Sequence, residues 1–186
     1  WLWFWRREDS VHPEPRRLIA LAFLAGMVAV AVVIPMEKFA ASYLKTQELW
    51  ILTAASTTTL TFIIWSAMEE IIKFVMAKLT VLRRREDDEP IDPVIYMVTV
   101  ALGFAAAENT LFLLSPLSGD SLLQTVLTGN LRFVGATLLH VLSSAVIGAA
   151  IGIAFYKSRS AKRWFTFIGV ILAVLLHSSF NFLILN

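Results

Sequence analysis

The sequence predicts an all-α membrane protein, a polytopic bundle of transmembrane helices with at least five crossings. Two observations carry this prediction. First, 58% of the 186 residues are apolar and the mean hydropathy is +0.72, whereas apolar residues make up roughly half of a soluble domain. Second, the apolar residues collect into five runs of about 20 residues or more, which is enough to cross a bilayer. These runs cover residues 18–36, 49–80, 94–114, 132–156 and 164–185.

Punctuating residues set the expected limits of each crossing. Pro35 is expected to close the first run, because proline interrupts the helical hydrogen-bond ladder. The second run is long for one crossing, which predicts a tilted helix or one whose end at 78–82 emerges from the bilayer. Pro90 and Pro93 mark the charged loop before the third run, and Pro116 follows it.

Basic residues flank alternate ends of the runs, and this asymmetry predicts the orientation. They cluster before the first run, after the second, and between the fourth and fifth, whereas the intervening loops carry few. The positive-inside rule therefore places residues 6–17, 83–93 and 157–163 in the cytoplasm. The clusters are short and split among loops, so they predict topology and no nucleic-acid partner.

The first residues of the sequence and its composition indicate how the domain is organised. The chain opens on the tryptophan-rich segment 1–5, which we interpret as the end of an earlier hydrophobic segment. Residues 1–186 are thus expected to form a single transmembrane domain that lacks an N-terminal segment. The sequence contains no cysteine, which excludes disulfides, thiolate metal ligands and a cysteine nucleophile.

Six ionisable residues interrupt four of these apolar runs. Such a residue at membrane depth costs roughly 3 kcal/mol or more unless it is paired or faces water, so it marks a candidate functional site. With a helical rise of 1.5 Å per residue, those in each run lie about 20–25 Å from the cytoplasmic end. We therefore expect one polar layer, past the midplane of the bilayer, formed by Glu69, Glu70, Lys73, Glu108, His140 and His177.

Polar neighbours accompany each member of this layer. Lys73 follows the two glutamates by three and four residues, so it can pair with either. The remaining supporting candidates are Asn109, Ser144 and Asn181. Taken singly, these residues are also compatible with a structural ion pair, an interhelical hydrogen bond or a buried histidine. Their matched depth favours one site for acid–base or metal chemistry.

Four short motifs occur in order, each within a predicted crossing. They are Glu69-Glu70-x-x-Lys73, Phe104-x-x-x-Glu108, His140, and His177-x-x-x-Asn181. At these residues the chain resembles the PrsW family of intramembrane proteases, within the superfamily of CAAX prenyl proteases and bacteriocin-processing enzymes. The resemblance covers essentially the whole chain.

The resemblance implies a protease-like domain in a bacterial plasma membrane. It implies hydrolysis of a peptide bond in a single-pass membrane protein, similar to an anti-sigma factor, with cleavage on the outer side of the bilayer. The expected partners are this substrate and the lipid bilayer.

Two chemical routes remain open for the implied reaction. In a glutamate route, Glu69 or Glu70 accepts a proton from water, His177 with Asn181 stabilises the oxyanion, and His140 protonates the leaving amine. In a metal route, a divalent ion such as zinc is held by Glu108, His140 and His177 while a glutamate of the pair remains the base.

Two functions of other classes compete with proteolysis. A proton-coupled transporter also carries buried Glu, His and Lys residues, but the sequence shows no inverted repeat of the kind that transporters contain. A catalytically inactive module that binds a membrane helix would need a groove, and it would not need the titratable cluster.

Overall fold

The computed structural model describes residues 13–46, 54–114 and 122–185, which form five helices and, within those ranges, no strand. The helices are α1 (Arg16–Thr46), α2 (Ala54–Thr80), α3 (Asp92–Leu114), α4 (Leu122–Ile153) and α5 (Arg159–Leu185). The predicted all-α class is confirmed. The N-terminal segment 1–5 and the proline at 116 lie outside the described residues.

Four of these helices are long and apolar enough to span a membrane. The candidate spans are Arg16–Leu44, Asp92–Leu114, Phe133–Ile153 and Arg159–Leu183. Helix α2 has 27 residues and carries Glu69, Glu70 and Lys73 close together, and it is not among these candidate spans. The structure supports four spans, and a fifth crossing by α2 stays a prediction.

Helix α1 corrects one predicted boundary. It continues through Pro35 to Thr46, so the prediction that this proline closes the first helical run is wrong. Proline is tolerated inside membrane helices because neighbouring helices and local adjustments satisfy the freed backbone groups. The continuation makes residues 37–46 helical, including Glu37, where the sequence predicted a loop. Helix α4 likewise starts at Leu122, before the predicted limit at 132.

Helix α2 occupies the position that organises the bundle. It packs against each of the other four helices, while α1 also packs on α3, α3 on α4, and α4 on α5. A buried cluster joins all five helices and includes Ala22, Ala77, Ile95, Ile147 and Ala173. The ionisable residues of α2 therefore lie within reach of side chains from every other helix.

Glycines allow the helices to approach closely in the half of the bundle predicted to face the cytoplasm. A Cβ added at Gly26 of α1 would lie 2.0 Å from the carbonyl oxygen of Val100, and one at Gly103 of α3 would lie 1.9 Å from that of Phe23. Small residues at a helix interface permit such backbone contact. In the opposite half, the described atom nearest to a Cβ at Gly135 of α4 would be a Phe180 ring carbon, at 3.7 Å.

These contacts predict opposite effects for two glycine-to-alanine substitutions. Gly103→Ala is expected to destabilise the protein by about 1–3 kcal/mol, because the new methyl group must push α1 and α3 apart. Gly135→Ala is the matched control and should be neutral or stabilising by up to about 1 kcal/mol through helix propensity. Thermal unfolding in detergent measures both, and equal destabilisation by the two variants would contradict the close contact.

Polar contacts fix the ends of α1 and α3 near the loop between α2 and α3. The Tyr96 hydroxyl donates a hydrogen bond to the buried Glu14 carboxylate, and Arg17 forms an exposed ion pair with Glu86 at 2.7 Å. In the same loop, burial and the neighbouring Asp92 raise the pKa of Asp87 to about 7. These contacts lie at the opposite end of the bundle from the histidines.

Candidate active site

All six ionisable residues predicted to form one polar layer come together in the structure. Helix α2 contributes Glu69, Glu70 and Lys73, and the remaining three residues come one each from α3, α4 and α5, namely Glu108, His140 and His177. Five of the six are buried, whereas the Glu108 side chain is 27% exposed. Glu108 therefore marks the side from which water can reach the group.

Both carboxylate oxygens of Glu70 accept hydrogen bonds, and these bonds join three helices. Its Oε1 atom accepts from Lys73 Nζ at 2.6 Å and from His177 Nδ1 at 2.9 Å. Its Oε2 atom accepts from the Ser144 hydroxyl at 3.0 Å. With an exposure of 0%, Glu70 is a fully satisfied buried carboxylate that holds neighbouring side chains in place.

Each histidine is oriented by a carboxylate on its outer edge. His177 Nδ1 donates to Glu70, which leaves the lone pair on Nε2, and that atom lies 3.7 Å from Glu69 Oε2. His140 Nε2 donates to Glu108 Oε2 at 2.9 Å, which leaves the lone pair on Nδ1, 3.6 Å from the same Glu69 oxygen. Carboxylate–histidine pairs of this kind fix the tautomer and direction of metal-ligating imidazoles.

Glu69 presents an open acceptor to both histidines. Its Oε2 atom is buried and has no hydrogen-bond partner among the described residues, which is costly for a carboxylate unless a cation or proton completes it. The ligand atoms of Glu69, His140 and His177 all lie within 4.8 Å of one another. A tetrahedral zinc site, with bonds of about 2.0–2.2 Å, needs ligand separations of about 3.4 Å. These three residues therefore fit a divalent cation.

The carboxylate that lies beside both histidines is not the one that the metal route led us to expect. The sequence favoured Glu108 with the two histidines, but the carboxylate that faces both histidines is Glu69. Glu108 lies instead on the far edge of His140, where it accepts the Nε2 hydrogen bond. The sequence supplied the depth of each residue, and depth alone cannot show which edge of an imidazole ring a carboxylate approaches.

Glu108 thus becomes a test of the carboxylate–histidine arrangement. Glu108→Gln is expected to weaken zinc binding by about 10–100-fold, because partners of this kind typically contribute that much to metal affinity. Zinc titration against a competing fluorescent chelator measures the change. The matched control is Thr110→Ser on the exposed side of the same helix, and equal affinity of Glu108→Gln and the control would refute the assigned role.

Lys73 is the cationic side chain of the site. Its ammonium lies 3.1 Å from His140 Nδ1 and 4.9 Å from the centroid of the Phe104 ring. Because Nδ1 offers a single lone pair, it cannot accept from Lys73 and bind a metal at the same time. Metal binding therefore requires Lys73 to leave His140, and the 2.6 Å bond to Glu70 remains available to it.

The other predicted supporting residues form hydrogen bonds with neighbours of the site and with one of its carboxylates. Asn109 donates to the Thr137 hydroxyl at 3.2 Å, and Asn181 donates to the Ser66 hydroxyl at 3.4 Å. In the structure these two asparagines connect neighbouring helices, and within the described residues neither one hydrogen-bonds to a histidine. Ser144 donates to the Glu70 carboxylate.

Glu37 is a site residue that the sequence reasoning missed. It is partly exposed on α1, within hydrogen-bonding reach of the Glu69 carboxyl and close enough to Glu108 to interact electrostatically. Its only sequence signal was an acidic residue directly after an apolar run. The expected break at Pro35 placed it in a loop, and the continuous helix carries it to the site.

Residues 14–186 match the PrsW-protease family, described as PrsW family intramembrane metalloprotease. The protease PrsW of Geobacillus kaustophilus is 26% identical over 181 residues, which cover 96% of this chain and 72% of that protein. The protease PrsW of Clostridioides difficile is 27% identical over 184 residues, which cover 98% and 74%.

The protease PrsW of Shouchella clausii is 30% identical over 123 residues, which cover 66% of this chain and 53% of that protein. The matches thus span about half to three quarters of the length of these curated relatives. No solved structure matches the chain.

Proposed function

Because the chain belongs to the PrsW family of intramembrane metalloproteases, we propose that it hydrolyses a peptide bond of a single-pass membrane protein at a metal centre. The centre consists of Glu69, His140 and His177. One observation carries this proposal: the buried Glu69 Oε2 atom, which has no hydrogen-bond partner in the described part of the chain, faces two histidines whose outer nitrogens are held by carboxylates.

Zinc is the metal that the donor set favours. Two imidazoles and one carboxylate are the ligands of several catalytic zinc sites, in which a fourth position stays open. When bound, such an ion would supply Lewis acidity to a water molecule and to the scissile carbonyl. The metal route is preferred to the glutamate route because Glu70 has both oxygens engaged and Glu69 faces the histidines.

The remaining residues of the site prepare it for this chemistry. Glu70 directs His177, and Glu108 directs His140, so each imidazole presents a lone pair toward Glu69. Lys73 neutralises Glu70, which makes the buried carboxylate tolerable in a region of low dielectric. Phe104 packs its ring edge-on against His140, with centroids 5.0 Å apart, and limits rotation of that imidazole.

We further propose that α2 is the fifth crossing and that residues 1–186 form one domain. In this topology the loops 6–17, 83–93 and 157–163 face the cytoplasm of a bacterial cell, and the site lies toward the outer side of the plasma membrane. The close glycine contacts in the cytoplasmic half and the looser contact at Gly135 support a bundle that opens outward.

The proposed substrate is an anti-sigma-factor-like protein that is cut on the outer side of the membrane. We also propose that the chain belongs to the superfamily of CAAX proteases, because it shares their sequence motifs.

A reconstituted assay tests the proposed reaction. The chain is placed in liposomes with a synthetic transmembrane peptide that carries a fluorophore and a quencher around its outer juxtamembrane segment. We expect cleavage that a zinc chelator abolishes and added zinc restores, with none from Glu69→Gln. Cleavage that persists in a chelator, with no zinc in the protein, would refute a metal centre.

Cysteine labelling tests the orientation independently, since the native chain contains no cysteine. Thr110 lies on the exposed surface of α3 beyond Glu108. Tyr156 has a side chain that is 82% exposed, and it lies beside the basic loop 157–163. Each of the two is replaced by cysteine in turn. In intact cells a membrane-impermeant maleimide should label only Thr110→Cys. Labelling of Tyr156→Cys alone would show that the chain has the opposite orientation in the membrane.

A further inference from the structure

A membrane-spanning substrate reaches the metal centre from the plane of the bilayer, so two neighbouring helices of the bundle have to part. The seams between α1 and α3, α3 and α4, and α4 and α5 are each closed by direct contact at a glycine. A Cβ added at Gly26, Gly148 or Gly169 would come within 2.0–2.6 Å of an atom of the neighbouring helix. Helix α2 contains no glycine, so its seams with α1 and with α5 depend on side chains.

The seam between α1 and α2 is closed in two other ways. Buried Val30 and Val33 of α1 pack in one apolar cluster with Ile72 and Met76 of α2. In the proposed topology, residues 47–53 also join the outer ends of these two helices, so the chain itself crosses the outer end of their seam. Helices α2 and α5 are not consecutive, and no connecting loop crosses the seam between them.

The outer half of the seam between α2 and α5 is joined by a weak polar contact beside the site. Asn181 donates a hydrogen bond to the Ser66 hydroxyl at 3.4 Å, which is long for a bond of this type. Ser66 precedes Glu70 by four residues, and Asn181 follows His177 by four, so both lie about 5.4 Å outward of the bond between Glu70 and His177. Breaking the outer bond would therefore open the site to the bilayer.

Trp65 provides a second observation in the outer half of α2. Its Nε1 atom is buried and has no hydrogen-bond acceptor among the described residues, which is unfavourable for a donor. Trp65 precedes Glu69 by four residues, so it lies on the helix face that carries Glu69 toward the site. A carbonyl group of an unwound substrate segment, which finds no water inside the bilayer, would satisfy this donor.

On the basis of the proposed metalloprotease function, we propose that the outer half of the seam between α2 and α5 is the lateral entrance for the transmembrane segment of the substrate. The hydrogen bond from Asn181 to Ser66 closes this entrance in the structure, and it breaks when the segment inserts. The Trp65 indole N–H then donates to a backbone carbonyl of the unwound segment and positions it one helical turn outward of Glu69.

A reversible cross-link across the seam tests the entrance, since the native chain contains no cysteine. The double variant Ser66→Cys, Asn181→Cys is placed in liposomes, oxidised with diamide and then reduced with a phosphine, and mass spectrometry gives the cross-linked fraction. Three readouts are taken on each form. They are zinc content, cleavage of the fluorogenic transmembrane peptide, and cleavage of its water-soluble juxtamembrane segment alone, which enters from the aqueous side marked by Glu108.

We expect the cross-linked form to cleave the transmembrane peptide at least about tenfold more slowly than the reduced form, because a closed gate excludes it. Zinc content and cleavage of the soluble segment should be equal in the two forms. Ser66→Ala tests the same closure in the opposite direction. It should raise kcat/KM about 2–10-fold for the transmembrane peptide alone, the usual contribution of one hydrogen bond.

Trp65→Phe removes the indole donor and keeps an aromatic ring. We expect its KM for the transmembrane peptide to rise about 2–10-fold through loss of one hydrogen bond, with zinc content unchanged. The matched control is Trp164→Phe, which should keep the wild-type KM because Trp164 is 60% exposed at the opposite end of α5 from the site.

Four results would overturn the proposal. Equal cleavage of the transmembrane peptide by the cross-linked and reduced forms, or an equal loss of both substrates on cross-linking, would show that this seam is not the entrance. Unchanged selectivity of Ser66→Ala between the two substrates would show that its bond closes nothing, and an unchanged KM of Trp65→Phe would remove Trp65 from substrate binding. Failure of the proposed function looks different, because the wild type itself would then bind no zinc or would cleave both substrates in a chelator.

Discussion

Replacing Glu70 with alanine is expected to destabilise the protein by about 3–5 kcal/mol, the usual cost of removing one partner of a buried ion pair. Lys73 is fully buried and lies 2.6 Å from Glu70 Oε1. Without Glu70 its charge would remain in a low-dielectric interior, and His177 and Ser144 would each lose a hydrogen-bond partner. The loss is measured by unfolding in mixed micelles of increasing denaturing-detergent fraction.

Two further variants separate the ion pair from simple loss of volume. The double variant Glu70→Gln, Lys73→Met should recover most of the stability, because it removes both charges together. Ser143→Ala on α4 is the matched control, since the Ser143 hydroxyl is equally buried and no described residue forms a hydrogen bond with it. If Glu70→Ala were no more destabilising than Ser143→Ala, the pairing of Glu70 with Lys73 would contribute nothing to stability.

His177→Ala is expected to lower cleavage by at least about 10³-fold, which corresponds to about 4 kcal/mol of transition-state stabilisation. The substitution removes one of three proposed metal ligands. The buried imidazole is 2% exposed, so water cannot easily take its place. Cleavage of the fluorogenic transmembrane peptide gives the rate, and zinc content gives the cause.

Ser178→Ala controls for a change at the same depth of α5. The Ser178 hydroxyl donates to the backbone carbonyl of Val174 within its own helix, so cleavage should stay near the wild-type rate. Folding of His177→Ala is checked by its elution volume in detergent. A well-folded His177→Ala protein that retains substantial activity would remove this residue from the catalytic set.

The helices of this fold were largely predictable, because long apolar runs report directly on membrane-spanning helices. The boundaries were less so. The sequence treated Pro35 as a stop, whereas packing by neighbouring helices lets α1 continue to Thr46. The apolar pattern also missed the first turns of α4, since residues 122–131 include polar side chains. The resemblance to the PrsW family and the prediction of a protease, in contrast, are confirmed by the family match.

The convergence of the six ionisable residues could be predicted from their matched depth, but Glu37 was missed and the pairings within the site were only partly predictable. Spacing within one helix gave the Glu70–Lys73 contact, which forms at 2.6 Å. Contacts between helices depend on the rotation of each helix about its axis, which the sequence pattern does not reveal. That rotation brings Glu69 to face both histidines and sends Glu108 to the outer edge of His140.

The central claim is that Glu69, His140 and His177 bind one catalytic metal ion. X-ray absorption at the zinc edge, with metal analysis of the purified protein, tests it most directly. We predict one zinc per chain, with two imidazole nitrogens and one carboxylate oxygen at about 2.0–2.2 Å, and loss of that zinc from Glu69→Gln, His140→Ala and His177→Ala. Zinc content that is unchanged in all three variants, or full activity of a zinc-free protein, would contradict the account.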